Sequence, residues 1–254
     1  MTNKMTMNFS LEICVDNLES AIEAQNAGAT RVELCNNLCE GGTTPGFGTI
    51  SSARNNLNIG LHVIIRPRGG DFLYTDLEYE IMRRDIDTCG ACGVDGIVLG
   101  LLESDGNIDV GRTSKLIEIA RPMSVTFHRA FDMCKDPFKG LEDVINAGAD
   151  RLLTSGHMNK AEEGLELISQ LILQAGERII IMPGSGINES NIIHIARTTG
   201  AKEFHLTGRK VIESEMTFRR QNISMGGITG ISEFSRKVID PDMIRGIINM
   251  LREV

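Results

Sequence analysis

Two cysteines alternate with two glutamates along the first two apolar runs of the chain, and the two cysteines could hold a soft metal ion. The runs are Leu11–Asp16 (LEICVD) and Arg31–Asn36 (RVELCN). If both are strands, side chains two positions apart share a face, so Glu33 lies on the same face as Cys35. Two thiolates on neighbouring strands suit an ion such as Cu(I). The alternative is that Cys14 and Cys35 are small apolar side chains of the core.

Histidines lie in two later apolar runs and could move protons. His128 lies in Thr126–Asp132 (TFHRAFD), and His205 lies near the end of the last apolar run. An imidazole titrates near neutral pH, so His128 suits a general acid or base, with Glu33 as its proton-transfer partner. The alternative for His128 is structural, a ring that holds a loop by a hydrogen bond. The predicted catalytic set is Glu33, His128, Asp132 and His205.

Arginines and glycines that follow other apolar runs predict an anion site. Arg66 and Arg68 precede a pair of glycines, and a guanidinium binds carboxylate or phosphate through two parallel hydrogen bonds. Barrel proteins often hold phosphate on backbone amides after their last two strands. The predicted anion-binding residues are Arg66, Arg68, Arg129, Ser155, Gly184, Ser185, Gly186, Thr207 and Gly208.

A repeated local pattern indicates the elements that position these groups. A helical run, a glycine, two or three turn residues and an apolar strand recur four times, with the glycine at positions 28, 93, 148 and 200. Glycine suits the left-handed position that ends a helix. With four further strands, eight strand candidates begin near residues 11, 31, 61, 96, 124, 151, 179 and 203.

Eight strand–helix units in one chain of 254 residues predict a (β/α)8 TIM barrel, a single domain over residues 1–254. An open, doubly wound sheet is the rival, because closure is not visible in a sequence. The lack of a dinucleotide fingerprint favours the barrel. In a barrel the carboxyl ends of all strands meet, which predicts one pocket for the residues above. Residues 209–239, which include Met225–Gly230 (MGGITG), are predicted to be irregular and to cover one face of the barrel.

Composition excludes several classes of partner. The net charge is −8, aromatic residues make up 4% and tryptophan is absent, which argues against nucleic-acid binding. No apolar run approaches the ~20 residues that cross a membrane, and the first residues lack the apolar core of a signal peptide. Six cysteines without an export signal predict reduced thiols and a cytoplasmic location. The pair Cys89 and Cys92 is interpreted as packing within a helix, and no nucleotide or organic cofactor is expected.

Several long stretches resemble the CutC family of copper homeostasis proteins. They are LEICVD (11–16), RVELC (31–35), EGGTTP (40–45), IRPRGGDF (65–72), VTFHRAFD (125–132), LTSG (153–156) and MPG (182–184). The resemblance implies a cytoplasmic TIM barrel that binds Cu(I) and forms a homodimer or homotetramer. Cys14 and Cys35 match the strand cysteines of the family. Ser185 replaces a glycine that is usual there, and Thr207 replaces a serine.

Two hypotheses follow from the residues and the resemblance. The first is a copper-handling protein whose Cu(I) binding depends on Cys14 and Cys35. The second is an enzyme for a small phosphorylated or carboxylated metabolite, in which Arg66 and Arg68 hold the anion while His128 and Glu33 move protons. A purely structural role is the third alternative.

Overall fold

Eight strands alternate with eight α-helices in the computed structural model, which describes residues 9–220, 222–223, 225 and 232–253. The alternating strands are β1 (Ser10–Val15), β2 (Arg31–Leu34), β3 (Gly60–Ile64), β4 (Gly96–Leu99), β5 (Ser124–Phe127), β6 (Arg151–Thr154), β7 (Ile180–Pro183) and β8 (Glu203–Leu206). The helices are α1 (Leu18–Ala27), α2 (Phe47–Asn56), α3 (Asp76–Cys92), α4 (Val110–Ala120), α5 (Pro137–Ala147), α6 (Leu165–Ala175), α7 (Ile192–Thr199) and α8 (Pro241–Leu251).

The eight strands form one parallel sheet that curls into a barrel. Its strand order is β7-β6-β5-β4-β3-β2-β1-β8. The two ends of this order meet where Gly184 and His205 form a parallel bridge just beyond β7. The predicted (β/α)8 barrel is therefore confirmed, and the open sheet is excluded.

Helix ends follow the signals in the sequence. Gly28 ends α1 with φ of 101°, and Gly148 ends α5 with φ of 93°, a region that only glycine adopts without strain. At the start of α5, the Asp136 side chain accepts hydrogen bonds from two backbone amides and a proline follows it. Because these two helices end so abruptly, the next strand begins within a few residues.

The apolar core lies between the helices and the outer faces of the strands, whereas the barrel interior holds charged side chains. Arg31 donates to Glu12 and, at 2.8 Å, to Glu203. Arg151 also donates to Glu203 at 2.8 Å. Buried charges are tolerated when each one has a partner, and these four residues form a continuous ion-pair chain across the interior.

The segment after β8 departs from the expectation of an irregular structure. Its two ends are strands, β9 (Arg209–Glu213) and β10 (Ser235–Ile239), which pair antiparallel. The predicted glycine-rich cover at Met225–Gly230 lies, apart from Met225, outside the described residues. Among the described residues, no helix combines the length and the apolar character that crossing a bilayer requires.

Close packing around Gly100, just after β4, gives a stability prediction. A Cβ atom at this position would clash with Nδ1 of His128 and lie 2.9 Å from the Ala130 side chain. We expect Gly100→Ala to lower the free energy of unfolding by about 1–3 kcal/mol, because both neighbours are buried and cannot move away freely. Urea unfolding followed by circular dichroism measures this change.

Gly48→Ala is the matched control for Gly100→Ala. Gly48 lies in α2, and a Cβ atom there would meet no atom within 4 Å. We expect the free energy of unfolding to stay level or to rise by about 0.5–1 kcal/mol, since alanine is the better helix former. Equal losses in the two variants would contradict the packing argument.

Candidate functional site

A cavity of about 510 Å³ opens at the carboxyl ends of the strands. Ten of the residues predicted from the sequence line it: Cys14, Glu33, Arg66, His128, Arg129, Asp132, Ser185, Gly186, His205 and Thr207. They come from six different strand ends, and only barrel closure brings them together. Cys35, Ser155, Gly184 and Gly208 are buried and are not among the lining residues.

Arg68 does not reach the cavity. Its guanidinium donates to Glu78 at 2.6 Å and to Asp71 at 2.9 Å, and it stacks over the ring of Tyr74. The physical reason is that β3 ends at Ile64, so the strand alternation that grouped Arg68 with Arg66 no longer applies four residues later. The two arginines therefore do not form the expected pair of anion ligands.

Arg66 lines the cavity, but both terminal nitrogens of its guanidinium are already hydrogen-bonded to loop carbonyls and are not free to bind an anion. Its two terminal nitrogens donate to the backbone carbonyls of Glu40, Gly42 and Gly70 at 2.7–2.8 Å. The guanidinium lies 5.1 Å from the centre of the Phe72 ring. Of the Arg66 side-chain nitrogens, Nε is the one that has no hydrogen-bond partner among the described residues.

Asp132 is the centre of a hydrogen-bond network after β5. It accepts bonds from the hydroxyls of Thr154 and Ser155 and from the backbone amide of Ser155. Arg129 donates to it through Nε at 2.7 Å and to the Ser155 hydroxyl at the same distance. Since its oxygens have several donors, this carboxylate orders the loop that carries Arg129.

His128 is a buried, neutral ring at neutral pH. Burial, together with the charge of Arg66, lowers its pKa to about 3. Its Nδ1 accepts a hydrogen bond from the Ala130 amide at 3.2 Å, so the proton of the neutral ring is assigned to Nε2. The ring packs 5.0 Å from Phe72. His128 therefore presents an N–H donor.

The two predicted thiols lie side by side. Cys14 and Glu33 are register partners on β1 and β2, and the Sγ atoms of Cys14 and Cys35 lie 3.7 Å apart. Cys14, Cys35 and Glu33 each offer one ligand atom within 4.8 Å of the others, and all three are buried. Ile64 and Leu38 pack around the sulfurs and shield them. The thiols are free, and Cys14 faces the cavity.

A histidine and a glutamate that the closed barrel brings together lie next to the thiols. Nδ1 of His205 lies 2.8 Å from Oε1 of Glu12, and Nε2 lies 3.7 Å from Oε2 of Glu33. Glu12 was not among the predicted site residues, although it shares a face with Cys14 in the strand pattern. Arg209 and Phe72 also line the cavity but were not predicted from the sequence. Phe72 lies in the loop after β3 and Arg209 is the first residue of β9, and no sequence signal marked either position.

The groups of this cluster shift one another's pKa values in opposite directions. The hydrogen bond from Cys35 and the interaction with His205 lower the pKa of the Cys14 thiol, although burial opposes this. Burial raises the pKa values of Cys35 and Glu33, and the Cys14 thiolate adds to both increases. Burial disfavours charge on His205, but bonds with Cys14 and Glu12 outweigh it and raise the pKa. At neutral pH the cluster therefore holds a thiolate beside an imidazolium.

Thiol alkylation should report this charge pair. Because the pKa of Cys14 is lowered, its rate of reaction with iodoacetamide should already be near its plateau at about pH 7. An unstructured cysteine peptide, with a pKa of about 8.5, should still gain rate as the pH rises. Replacement of His205 by glutamine should return the profile of Cys14 towards that of the peptide. Site-resolved mass spectrometry measures the rate, and equal profiles for peptide and protein would contradict the assignment.

Comparison with known proteins gives a consistent set of matches. The sequence matches the model of the CutC family over residues 9–210. It is 49% identical to a family protein CutC of Chromobacterium violaceum, over 95% of this chain and 97% of the relative. It is 47% identical to the human copper homeostasis protein cutC homolog, over 93% of this chain and 87% of the relative.

Solved structures show the same likeness. The crystal structure of the putative copper homeostasis protein CutC from Streptococcus agalactiae is 37% identical, with a TM-score of 0.75, and the match covers 78% of this chain and 98% of that one. Thiamine phosphate pyrophosphorylase from Pyrococcus furiosus is 14% identical with a TM-score of 0.61, which shows a shared barrel fold alone.

Proposed function

The chain belongs to the CutC family, the copper homeostasis proteins, and from this premise we propose that it binds Cu(I) through Cys14 and Cys35. Cu(I) prefers soft thiolate ligands. Copper is the cargo in this proposal. The second predicted role, an enzyme, concerns Glu33 and further residues of the same cavity.

The observation that carries the proposal is the 3.7 Å separation of the two Sγ atoms. The sulfurs are well beyond the ~2.05 Å of a disulfide bond, so both are available as ligands. A metal–thiolate bond is roughly 2.3 Å long, so one ion can contact both sulfurs without movement of either strand. Cys14 lines the cavity, which supplies a path for the ion from solvent.

The charges around the thiols also suit a monovalent soft ion. A Cu(I) ion with two thiolates carries a net charge of −1, and the His205 imidazolium 3.7 Å from Glu33 offsets it. Burial and the neighbouring Cys14 thiolate raise the pKa of Glu33, which limits further negative charge beside the thiols.

The proposal extends to the setting in which the protein works. Free thiols and Cu(I) both require reducing conditions, which supports a cytoplasmic location. The family resemblance leads us to expect a homodimer or homotetramer, and sedimentation equilibrium measures that state.

An anaerobic competition titration tests Cu(I) binding. The reduced protein and the chromogenic chelator bicinchoninate compete for Cu(I), and the colour of the chelator complex reports the free ion. We expect one equivalent per chain to be withheld from the chelator. Withdrawal of several equivalents with equal affinity, or of none, would contradict a single dithiolate site.

A further inference from the structure

The cavity beside the thiols is larger than a metal ion needs. Its volume of about 510 Å³ falls within the range of roughly 300–1,000 Å³ that small-molecule sites occupy. Cys14 lies along one part of this wall, and the remainder includes residues that follow β3, β5, β7 and β8. A bound copper ion would therefore occupy only a small part of the cavity volume.

The unpartnered buried atoms of this wall are all hydrogen-bond donors. Among the described lining residues, three side chains have a buried nitrogen without a partner: Nε of Arg66, Nε2 of His128 and Nη2 of Arg209. Arg66 and His128 are only 4% and 5% exposed. Nε2 of His128 carries the ring proton because Nδ1 accepts from Ala130. Buried donors without acceptors are unfavourable, so an occupant that supplies oxygen acceptors would satisfy them.

The ends of β7 and β8 supply further donors on the same wall. No described residue accepts a hydrogen bond from the backbone amides of Gly186 and Thr207. The charge of Arg209, which follows them at the start of β9, has its nearest carboxylate in Asp16 at 3.7 Å, beyond hydrogen-bond distance. Loops after the last two strands of a barrel are where phosphate groups commonly bind. This end of the cavity is therefore suited to an oxyanion.

Close contacts with neighbouring residues fix the turn after β7. A side chain at position 184 would lie 2.5 Å from Leu153, so the backbone passes close to the wall. Ser185 has φ of 80°, a strained value for a residue with a side chain, and its hydroxyl donates to the Asn159 carbonyl at 2.7 Å. The serine side chain is thus tied back to the neighbouring loop and does not fill the anion end.

We propose that this cavity binds a small organic molecule with an oxyanion group, phosphate or carboxylate, at Gly186, Thr207 and Arg209, and with a second acceptor oxygen at His128. This site is separate from the dithiolate pair and does not depend on copper. The neutral ring of His128 is suited to an oxygen acceptor such as a carbonyl or carboxylate, because it donates without carrying charge.

Calorimetric titration with inorganic phosphate, and separately with acetate, tests the anion end at constant ionic strength. We expect saturable binding of at least one anion at one site per chain, and the tighter of the two identifies the group. Arg209→Gln should weaken it about tenfold or more, because it removes a charged donor to a charged acceptor. Arg68→Gln, which alters an arginine outside the cavity, should leave the affinity unchanged. No saturable binding, or an equal loss in Arg68→Gln, would overturn the proposal.

A probe with two acceptor groups tests the contact with His128. We expect 2-phosphoglycolate to bind about tenfold or more tightly than inorganic phosphate, and His128→Asn to remove that advantage while phosphate binding is kept. Retained phosphate binding shows that this variant is folded. Equal affinities of the two probes in the unaltered protein would overturn the role of His128.

The Cys14→Ala/Cys35→Ala variant separates this proposal from copper binding. It should bind the tighter of the two anions, phosphate or acetate, as the unaltered protein does, although it lacks the dithiolate pair. If that binding disappears with the thiols in a folded variant, the anion site is not separate and the inference is wrong.

Discussion

Replacement of both Cys14 and Cys35 with alanine is expected to abolish stoichiometric Cu(I) binding. The two sulfurs are 3.7 Å apart, and Glu33, which lies close to both, offers only a hard oxygen. Loss of residues that merely support a metal ligand already costs about 10- to 100-fold in affinity, so loss of both ligands should exceed 100-fold. The anaerobic competition with bicinchoninate measures this loss, and each single variant should show an intermediate affinity.

The matched control for the double variant is Cys39→Ala/Cys92→Ala. Cys39 is exposed and Cys92 is partly exposed, and neither belongs to the described thiol cluster. This control removes the same number of thiols and should keep the full Cu(I) affinity. Parallel losses in the two double variants would mean that copper binds to cysteines without selection, contrary to the proposal.

Glu12→Gln is expected to cause the largest loss of stability among single substitutions of the buried charges. Glu12 is fully buried and pairs with both Arg31 and His205. Removal of its charge leaves these two cations without their shared partner, and breaking a buried pair in this way costs about 3–5 kcal/mol. For a domain of this size, the expected fall in melting temperature is roughly 6–20 °C, measured by differential scanning calorimetry.

A surface glutamate provides the comparison for Glu12. Glu80 pairs with Arg83 and Arg84 on the exposed face of α3. Exposed ion pairs contribute at most about 1 kcal/mol, so Glu80→Gln should change the melting temperature little. Equal effects of the two substitutions would show that the pair of Glu12 with Arg31 contributes no more than a surface pair.

The contribution of Glu12 to stability should also be visible in acid unfolding. Burial alone would raise the pKa of Glu12, but the charge of Arg31 and the bond with His205 outweigh it and lower the pKa below its unfolded value. A carboxyl with a lowered folded-state pKa contributes stability above its unfolded pKa of about 4.3, and this contribution is lost as the pH falls further. The unaltered protein should therefore lose stability below about pH 4 more steeply than Glu12→Gln.

The barrel could be predicted because its signals are local. A glycine that ends a helix and the apolar run after it depend on a few neighbouring residues. Four such repeats, together with four further apolar runs, were enough to count eight units. The approach of Cys14 and Cys35 was predictable for the same reason, since strand alternation applies within β1 and at the end of β2. Where the chain left the strands, as at Arg68, alternation gave the wrong neighbours.

The other partners in the site depend on contacts between distant parts of the chain. Glu12 and His205 are 193 residues apart and meet only because β1 and β8 are neighbours in the closed barrel. The carbonyls that hold Arg66 lie in two loops whose shapes are set by turns rather than by apolar pattern. Pairing of β9 with β10 joins segments more than 20 residues apart, and no repeat in the sequence marks it.

The most direct test is a crystal structure of the protein loaded anaerobically with one equivalent of Cu(I), with anomalous diffraction recorded at the copper absorption edge. A single copper peak between Sγ of Cys14 and Sγ of Cys35 is the expected result. A peak beside the arginines of the cavity, or at exposed cysteines with none between these two sulfurs, would contradict the assignment of the dithiolate pair as the copper site.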